Sequence, residues 1–288
     1  MARDHWAEWL LSRRFGGESQ TPEWAARLAE TRDRVLDGAT LEHGEVLLDV
    51  GAGDGLIAFG ALERGAGEVV FSDISTDLLE HARGLAEQLG VAGRCRFVHA
   101  AAEDLAPIQD AAVDVVTTRS VLIYVERKAD AFREFFRVLR PGGRLSIFEP
   151  INRFGCEFRD HESFMGYPVD GLAGVRDRLN ELYRSLQPED DPMLDFDERD
   201  LIGLAVEAGF FPVELDLSVE LTPLAPVPWD RFANTPGNPK IPSLAEAMDQ
   251  ALTEDERERL TAHLRPLVER GEGAGRRARA YLRATKPR

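Results

Sequence analysis

Short apolar runs alternate with longer amphipathic stretches between Val46 and Pro150. The long stretches repeat apolar residues at helical spacing, whereas the short runs are rich in valine and isoleucine and are typical of buried strands. Regular alternation of this kind predicts a parallel sheet with crossover helices on its faces. The five predicted strands are VLLDV (46–50), EVVFSD (68–73), CRFVHA (95–100), DVVTT (114–118) and RLSIF (144–148).

The alternation stops after Pro150. Residues 151–196 are polar and irregular apart from a predicted helix from Val175 to Leu186. A helix from Glu198 to Ala208 and a strand with period-two alternation over 212–221 then resume the earlier pattern. The segment 151–196 is therefore predicted to be an insertion between elements of one α/β domain.

A second irregular segment follows the 212–221 strand. Six prolines between Pro223 and Pro242 disfavour regular structure there. Two capping boxes, Ser243 with Glu246 and Thr253 with Glu256, each begin a helix. The alternating stretch 278–286 predicts a last strand, and if that strand returns to the sheet, residues 222–275 are an excursion from the core.

Helical spacing is also visible within residues 3–37, which predict two helices separated at Gly16 and Gly17. The predicted organisation is an N-terminal helical cap over 1–44 and one catalytic domain over 45–288. Within that domain, substrate-lid insertions are expected at about 151–196 and 222–275. In the core helix before the fifth strand, Pro141-Gly142-Gly143 is expected to end the helix. Four residues of this helix share an apolar face that is expected to be buried: Phe132, Phe135, Phe136 and Leu139.

Composition excludes several classes of protein. The 288 residues are 43% hydrophobic and 30% charged, as in an ordinary soluble globule. A formal net charge of −16 disfavours broad nucleic-acid binding. No apolar run is long enough to span a bilayer, and the N-terminus lacks the features of a secretory signal, so a cytoplasmic location is expected. Two cysteines, Cys95 and Cys156, cannot form a four-cysteine metal site, and no metal is expected.

A glycine-rich turn follows the first predicted strand. Asp49, Gly51, Gly53 and Gly55 stand where strand passes into helix, so the backbone is open to a ligand and the helix N-terminus offers unpaired N–H groups. The nicotinamide dinucleotide fingerprint requires a glycine at its sixth position, which here is Leu56. A nicotinamide-dependent dehydrogenase is therefore disfavoured.

The spacing Asp-x-Gly-x-Gly-x-Gly resembles that of the class I S-adenosylmethionine-dependent methyltransferases. Four further segments match in order: Asp73 at the end of the second strand, 100–107, 113–125 and 132–150. The resemblance covers roughly residues 45–150, the 198–221 unit and the last strand. It implies an α/β fold with a doubly wound, seven-stranded, Rossmann-like sheet, mostly parallel with the last strand antiparallel.

Several cofactor-binding residues are expected on S-adenosylmethionine. Asp73 lies where an acid can accept hydrogen bonds from both ribose hydroxyls, and Ile74 follows it on the cofactor side. The resemblance implies that Asp49 and the backbone around Gly51 and Gly53 hold the methionine amine.

The remaining cofactor contacts are expected from three other segments. Ala102 and Glu103 would border the adenine, although the acid usually found just before this segment is Ala101 here. The main chain at Arg119 would approach the methionine moiety. Arg14, or its neighbour Arg13, would reach the methionine carboxylate if the N-terminal helix folds over the site, and the alternative is a surface arginine.

On the acceptor side, three residues are candidates for catalysis. Glu149, at the end of the fifth strand, is the first candidate for orienting or deprotonating the acceptor, with a solvent-facing acid as the alternative. His161 is a second candidate base, and the alternative is a surface histidine. Tyr124 is a wall residue whose ring is expected to pack under a helix. Alignment of an already activated methyl group supplies much of the catalysis, so no catalytic triad is required.

The predicted reaction is methyl transfer from S-adenosylmethionine to an oxygen or nitrogen atom of a small molecule or peptide. Thr117-Thr118-Arg119-Ser120 replaces the Pro-Pro-aromatic motif of amino-methylating DNA enzymes, so nucleic acid is not an expected partner, and neither is a membrane. The alternative is a methyltransferase-like binding or regulatory protein that holds the cofactor without transferring its methyl group.

Overall fold

A seven-stranded sheet forms the centre of the computed structural model, which describes residues 3–13, 22–157 and 163–288. The strand order is β3-β2-β1-β4-β5-β9-β8, and a separate two-stranded hairpin pairs β6 with β7. The strands are β1 Val46–Val50, β2 Glu68–Asp73, β3 Cys95–His99, β4 Val113–Arg119, β5 Leu139–Pro150, β6 Ser163–Phe164, β7 Tyr167–Pro168, β8 Val213–Pro223 and β9 Ala274–Thr285.

The strand directions confirm the predicted sheet. β1 to β5 pair in parallel, and β9 pairs antiparallel with both β5 and β8. β9 therefore lies inside the sheet, between β5 and the edge strand β8. Because the order reverses between β1 and β4, the carboxyl ends of these two strands leave a crevice where ligands bind in open α/β sheets.

The described helices cover both faces of this sheet and extend beyond its carboxyl edge. They are α1 His5–Glu8, α2 Pro22–Ala39, α3 Leu56–Glu63, α4 Thr76–Gln88, α5 Lys128–Val138, α6 Asn152–Glu157, α7 Ala173–Leu186, α8 Glu198–Ala208, α9 Trp229–Asn234, α10 Leu244–Ala251 and α11 Glu254–Arg270. Helix α1 continues as a π-helical turn, Trp9–Arg13, and a short 3₁₀ turn spans Leu122–Tyr124. Among the described helices none is both long and apolar enough to cross a membrane.

Two apolar clusters hold helices to the two faces of the sheet. On one face α2, α3 and α4 pack through residues such as Leu36, Ile57 and Leu79. On the other face α5 and α8 pack through Phe132, Phe135 and Leu201, which are fully buried. The predicted core role of the α5 aromatics is confirmed, and α2 packs directly on the sheet.

Local sequence signals place several helix ends correctly. Ser243 with Glu246 and Thr253 with Glu256 form the predicted capping boxes at the starts of α10 and α11. Gly209 ends α8 in the left-handed conformation, with φ of 104°. In each case a side chain or a glycine satisfies backbone groups that the helix end leaves without partners.

Two local predictions were wrong. Helix α5 ends at Val138, before Pro141-Gly142-Gly143, because Leu139 already pairs with Val113 as the first residue of β5. The proline-rich segment contains the helix α9, because Pro228 stands at its N-cap with φ of −54°, where a missing N–H costs nothing.

The segments predicted as insertions meet in space. Residues 163–196 and 224–272, here called the insertion layer, share a third apolar cluster that includes Tyr167, Leu179, Trp229 and Leu264. Helix α7 from the first segment contacts α10 from the second. Two stretches far apart in sequence thus form one layer, while the division of the chain at residue 44 stays a prediction.

Candidate active site

A cavity of about 770 Å³ lies at the carboxyl ends of β1, β2 and β4. Its wall combines the glycine-rich turn, the ends of these strands, the N-terminal helices and the insertion layer. The cavity therefore occupies the crevice that the strand order creates between β1 and β4. Most of the site residues predicted from sequence are found on this wall.

The glycine-rich turn leaves its backbone open to the cavity. Gly51 and Gly53 both have positive φ, 65° and 55°. A Cβ atom added to Gly51 would lie 2.4 Å from Cγ2 of Val121, so a side chain there would collide with the loop after β4. The turn thus needs glycine both for its conformation and for its close approach to a neighbouring loop.

Asp73 is held in place by the backbone around it. Its carboxylate accepts hydrogen bonds from the N–H of Gly53 at 2.8 Å and the N–H of Ser75 at 2.9 Å. Burial raises the pKa of Asp73, and these backbone hydrogen bonds oppose the increase. A carboxylate has about four lone-pair positions, so both oxygens can still accept a ribose hydroxyl.

Asp49 lies at the other side of the turn and is almost completely buried. Its Oδ1 accepts a hydrogen bond from the Thr117 hydroxyl at 2.9 Å. Burial raises the pKa of Asp49 to about 7, and Thr117 and the positive charge of Arg119 oppose this increase. A buried carboxyl group with so high a pKa gains most from a cation placed beside it, such as the ammonium group of a methionine moiety.

The predicted adenine side is a short turn after β3. Ala101 and Asp104 form an isolated bridge, and Ala101, Ala102 and Glu103 line the cavity together with Ile74. Ile74 is 47% exposed, which leaves an apolar side chain available to a flat ring. These residues line the cavity, and their contact with adenine stays a prediction.

The segment after β4 approaches the turn from the opposite side. Arg119 lines the cavity, and Ser120 has φ of 58°, an uncommon conformation for a residue with a side chain. The N–H of Ser120 donates to the carbonyl of Phe148 at 2.9 Å, which ties this segment to β5. The backbone here is held in a single conformation beside Gly51.

Glu149 requires a correction. Its side chain is fully buried and is not part of the cavity wall, whereas its neighbour Pro150 is. Oε1 accepts hydrogen bonds from the N–H groups of Val121 and Leu122, both at 2.9 Å. Burial raises the pKa of Glu149 to about 7. The geometry therefore supports a residue that holds the loop after β4, and not the predicted direct contact with the acceptor.

Tyr124 lines the cavity as expected, and its ring packs edge-on against Trp6 with centroids 4.9 Å apart. The other predicted candidates cannot be placed. His161 and Arg14 both lie outside the described residues. Their roles as base and carboxylate ligand stay predictions.

The N-terminal segment contributes residues to the site that sequence reasoning missed. Trp6, Trp9 and Trp24 line the cavity, although the sequence indicated only that they belong to helical faces. Helix α1 is attached to the ribose side, because Asp4 accepts a hydrogen bond from the Ser75 hydroxyl at 2.6 Å. The presence of three tryptophans in a short N-terminal stretch was the sequence feature that could have indicated a cavity wall.

The insertion layer closes the acceptor side of the cavity with mainly apolar residues. They come from both of its segments and include Met165, Met193, Val227, Phe232, Ile241 and Pro242. Nothing in the local sequence marks these residues as neighbours, because long-range packing brings them together, including the contacts of α7 with α10 and of β7 with α11.

These features fit S-adenosylmethionine. The open glycine backbone, the fixed Asp73 carboxylate and the buried Asp49 carboxyl group suit a nucleoside joined to a cationic amino-acid end. Residues 48–147 match the family model described as a methyltransferase domain. The chain is 37% identical over 180 residues to the ubiquinone/menaquinone biosynthesis C-methyltransferase UbiE of Stutzerimonas stutzeri strain A1501, covering 61% of this chain and 68% of that protein.

Solved structures share the fold. A putative methyltransferase from Bacillus halodurans C-125 superposes with a TM-score of 0.57 at 20% identity, covering 90% of this chain and 100% of that one. The [4+2]-cyclase SpnF superposes with a TM-score of 0.54 at 20% identity, covering 96% of this chain and 87% of that one. At such identities these likenesses show the fold alone, whereas the sequence relatives identify the enzyme class. The chain belongs to the class I S-adenosylmethionine-dependent methyltransferase family.

Proposed function

We propose that this enzyme methylates a small, largely apolar molecule, and that the acceptor atom is a carbon of an electron-rich ring. The observation that carries the proposal is the continuity of the cavity. One space of about 770 Å³ extends from Asp73 and Asp49 to the apolar side chains of the insertion layer. Cofactor and acceptor can therefore lie in contact within a single enclosure.

The wall favours a small molecule over a peptide. Helix α1 and the insertion layer lie over the strand ends, and their cavity-lining residues include Trp9, Met193 and Phe232. A peptide presents backbone N–H and C=O groups that an apolar wall cannot satisfy, which disfavours it as the acceptor. An apolar ring loses little by leaving water for such a wall.

The choice of carbon is supported by the relatives, whose names describe C-methyltransferases. It departs from the oxygen or nitrogen predicted from sequence, which becomes the second outcome of the experiment. The cofactor supplies a methyl group on a sulfonium, which is already activated towards a nucleophile. Among the described residues of the cavity wall there is no histidine, which suits an acceptor that needs little help from a general base.

The chain's own residues would contribute mainly by orientation. Asp73 would fix the ribose and Asp49 the amine, while Glu149 holds the loop of Val121 and Leu122 beside the glycine turn. Alignment of this kind is worth about 7–11 kcal/mol in favourable cases. The insertion layer would exclude water from the acceptor.

The test is a search for methylated products. The enzyme is incubated with S-adenosylmethionine carrying a trideuterated methyl group and with organic-soluble and aqueous fractions of a cell extract, and labelled products are found by mass spectrometry. We expect the label in an organic-soluble compound, and we expect it to remain there after treatment with reagents that cleave methyl ethers. The Asp73→Ala variant serves as the matched control.

Four outcomes would contradict parts of the proposal. A label that ether-cleaving reagents remove would indicate methylation of oxygen. A label found on an amine nitrogen would indicate methylation of nitrogen. A labelled peptide would overturn the small-molecule acceptor. Binding of the cofactor with no labelled product in any fraction would leave a binding protein as the better description.

A further inference from the structure

A second cleft of about 600 Å³ adjoins the methyl-transfer cavity. Three residues line both spaces: Met165, Tyr183 and Ile241. The two spaces therefore adjoin at these three residues. A molecule longer than the cavity would extend towards the second cleft at this point.

The walls of the two spaces differ in chemistry. The insertion layer lines the cavity with apolar side chains such as Met193 and Phe232. The second cleft has a mixed wall: apolar residues such as Phe164 and Leu224 lie beside the polar and charged residues Ser163, Asp170, Asn180, Gln187, Arg276 and Arg277. An occupant of both spaces would need an apolar body and a polar end.

The charges of the second cleft favour an anion. Loss of solvent and the positive charges of Arg27 and Arg279 lower the pKa of Arg277, and the carboxylate of Glu220, its register partner on β8, opposes them only in part. Arg279 is paired with Glu220 at 3.1 Å, whereas Arg277 makes no hydrogen bond or ion pair within the described part of the chain. Like charges held together are destabilising, so an anion beside Arg277 would relieve the repulsion.

The residues between the two spaces fit such an occupant. The hydroxyl oxygen of Tyr183 is buried and has no hydrogen-bond partner among the described residues. Burial raises the pKa of Tyr183 to about 12, so the hydroxyl remains a donor at neutral pH. Met165 is 44% exposed in the turn between β6 and β7, and its unbranched side chain can adapt to a passing ligand.

We propose that the second cleft binds an anionic end of the methyl acceptor, a carboxylate or a phosphate, while the apolar body lies in the main cavity. The identification of the occupant as the acceptor rests on the proposed function. The existence of an anion subsite beside Arg277 does not, and it is tested here separately from methyl transfer.

The probes are two fluorescent compounds with one aromatic skeleton: 8-anilino-1-naphthalenesulfonate, which carries an anion, and N-phenyl-1-naphthylamine, which does not. Both are titrated into the full-length protein with saturating S-adenosylhomocysteine, which keeps them out of the cofactor site. We expect the sulfonate to bind more tightly than the neutral compound.

The variant Arg277→Gln should weaken sulfonate binding by about tenfold, since it removes a charge-assisted hydrogen bond. It should leave the affinity of the neutral compound unchanged. Arg283→Gln is the matched control, because Arg283 lies on the same strand but is paired with Glu214 and does not line the cleft. This control should bind both probes like the wild type.

Equal affinities of the two probes, or unchanged sulfonate binding by Arg277→Gln, would overturn the anion subsite. Equal losses in the Arg277 and Arg283 variants would also overturn it, because they would indicate only a general effect of charge. None of these results would affect the search for methylated products, so failure of the subsite and failure of the proposed function can be told apart.

Discussion

The two halves of the cavity are built in different ways. On the cofactor half, backbone groups fix the important side chain: Asp73 accepts hydrogen bonds from Gly53 and Ser75 at the ends of adjacent elements. On the acceptor half, the wall belongs to an insertion layer held by apolar packing between distant segments. Backbone-fixed groups keep their positions when surrounding side chains change, whereas a packed apolar wall changes shape with every substitution.

This difference matches the division of labour in the reaction. The cofactor half must present the same groups to the same ligand, and its positions follow from the strand ends of the sheet. Under the proposed function, the acceptor half would determine which molecule is methylated. We expect substitutions in the first half to alter cofactor affinity and substitutions in the second to alter acceptor choice.

The largest expected effect tests whether the second insertion can be separated from the core. A truncation after Thr222 removes β9 with the insertion, and β9 pairs with both β5 and β8 inside the sheet. The truncated chain should not fold, because Ala280 and Leu282 would leave the core and two strands would lose their partner. Thermal melting followed by circular dichroism is the measurement. A soluble truncate that melts cooperatively and binds S-adenosylhomocysteine normally would show that the region is independent.

The next effect tests whether Glu149 belongs to the backbone-fixed half. Glu149→Ala leaves the N–H groups of Val121 and Leu122 without acceptors, at about 1–3 kcal/mol of unfolding free energy for each. Glu149→Gln keeps an oxygen acceptor and should be much less destabilised. Urea unfolding of both variants provides the comparison.

Methyl transfer by Glu149→Gln then separates the two roles considered for this residue. At saturating cofactor and acceptor, a positioning role predicts turnover close to that of the wild type. If the variant folds and binds the cofactor normally but transfers methyl groups far more slowly, the direct contact predicted from sequence was right after all.

A smaller effect concerns the pH dependence of Asp49. Its pKa of about 7 in the folded chain is above the ordinary aspartate value, so the folded state binds the proton more tightly. The stabilisation from this proton is present at low pH and is lost as pH rises towards 7. Asp49→Asn should therefore be more stable than the wild type at pH 8, by at most about 4 kcal/mol, and the difference should shrink as the pH falls and disappear only below the ordinary aspartate pKa, at about pH 4.

Asp49→Asn should stabilise the fold at high pH but weaken the binding of the cofactor there. Ionised Asp49 attracts an ammonium group, so wild-type affinity for S-adenosylhomocysteine should rise with pH until Asp49 is ionised, and the variant should lose this rise. Calorimetry and urea unfolding at several pH values test both statements, with the exposed residue variant Glu87→Gln as control. Equal pH profiles for Asp49→Asn and wild type would contradict them.

The sequence predicted which residues of the cofactor half line the cavity, because the signals are local. The glycine spacing, the acid at the end of the second strand and the strand alternation each depend on neighbours in the chain. The seven-stranded, mostly parallel sheet with an antiparallel last strand followed from the family resemblance, and the structure has this sheet. Glu149 was misplaced because strand periodicity fixes the end of a strand but not whether its last acid faces a cavity or a backbone loop.

The acceptor half was predicted only as two insertions. Phe232 packs against the apolar cluster of the insertion layer and Met193 against the core beneath the sheet, yet both line the same cavity, a long-range arrangement that no local pattern specifies. The tryptophans of the N-terminal helices were assigned to helical faces, because periodicity distinguishes a buried face from an exposed one but not a core from a cavity wall. The prolines before α9 obscured that helix, since Pro228 begins it.

Asp73, as the ribose ligand of the backbone-fixed half, is the residue on which the assignment of the cavity to the cofactor rests. Calorimetry with S-adenosylhomocysteine on the wild type and on Asp73→Ala measures this. Hydrogen bonds to a charged group are worth about 1.5–3 kcal/mol, so the variant should bind roughly 10- to 150-fold more weakly. A wild type that does not bind the compound, or a folded variant that binds it as tightly as the wild type, would contradict the assignment of this cavity to the cofactor.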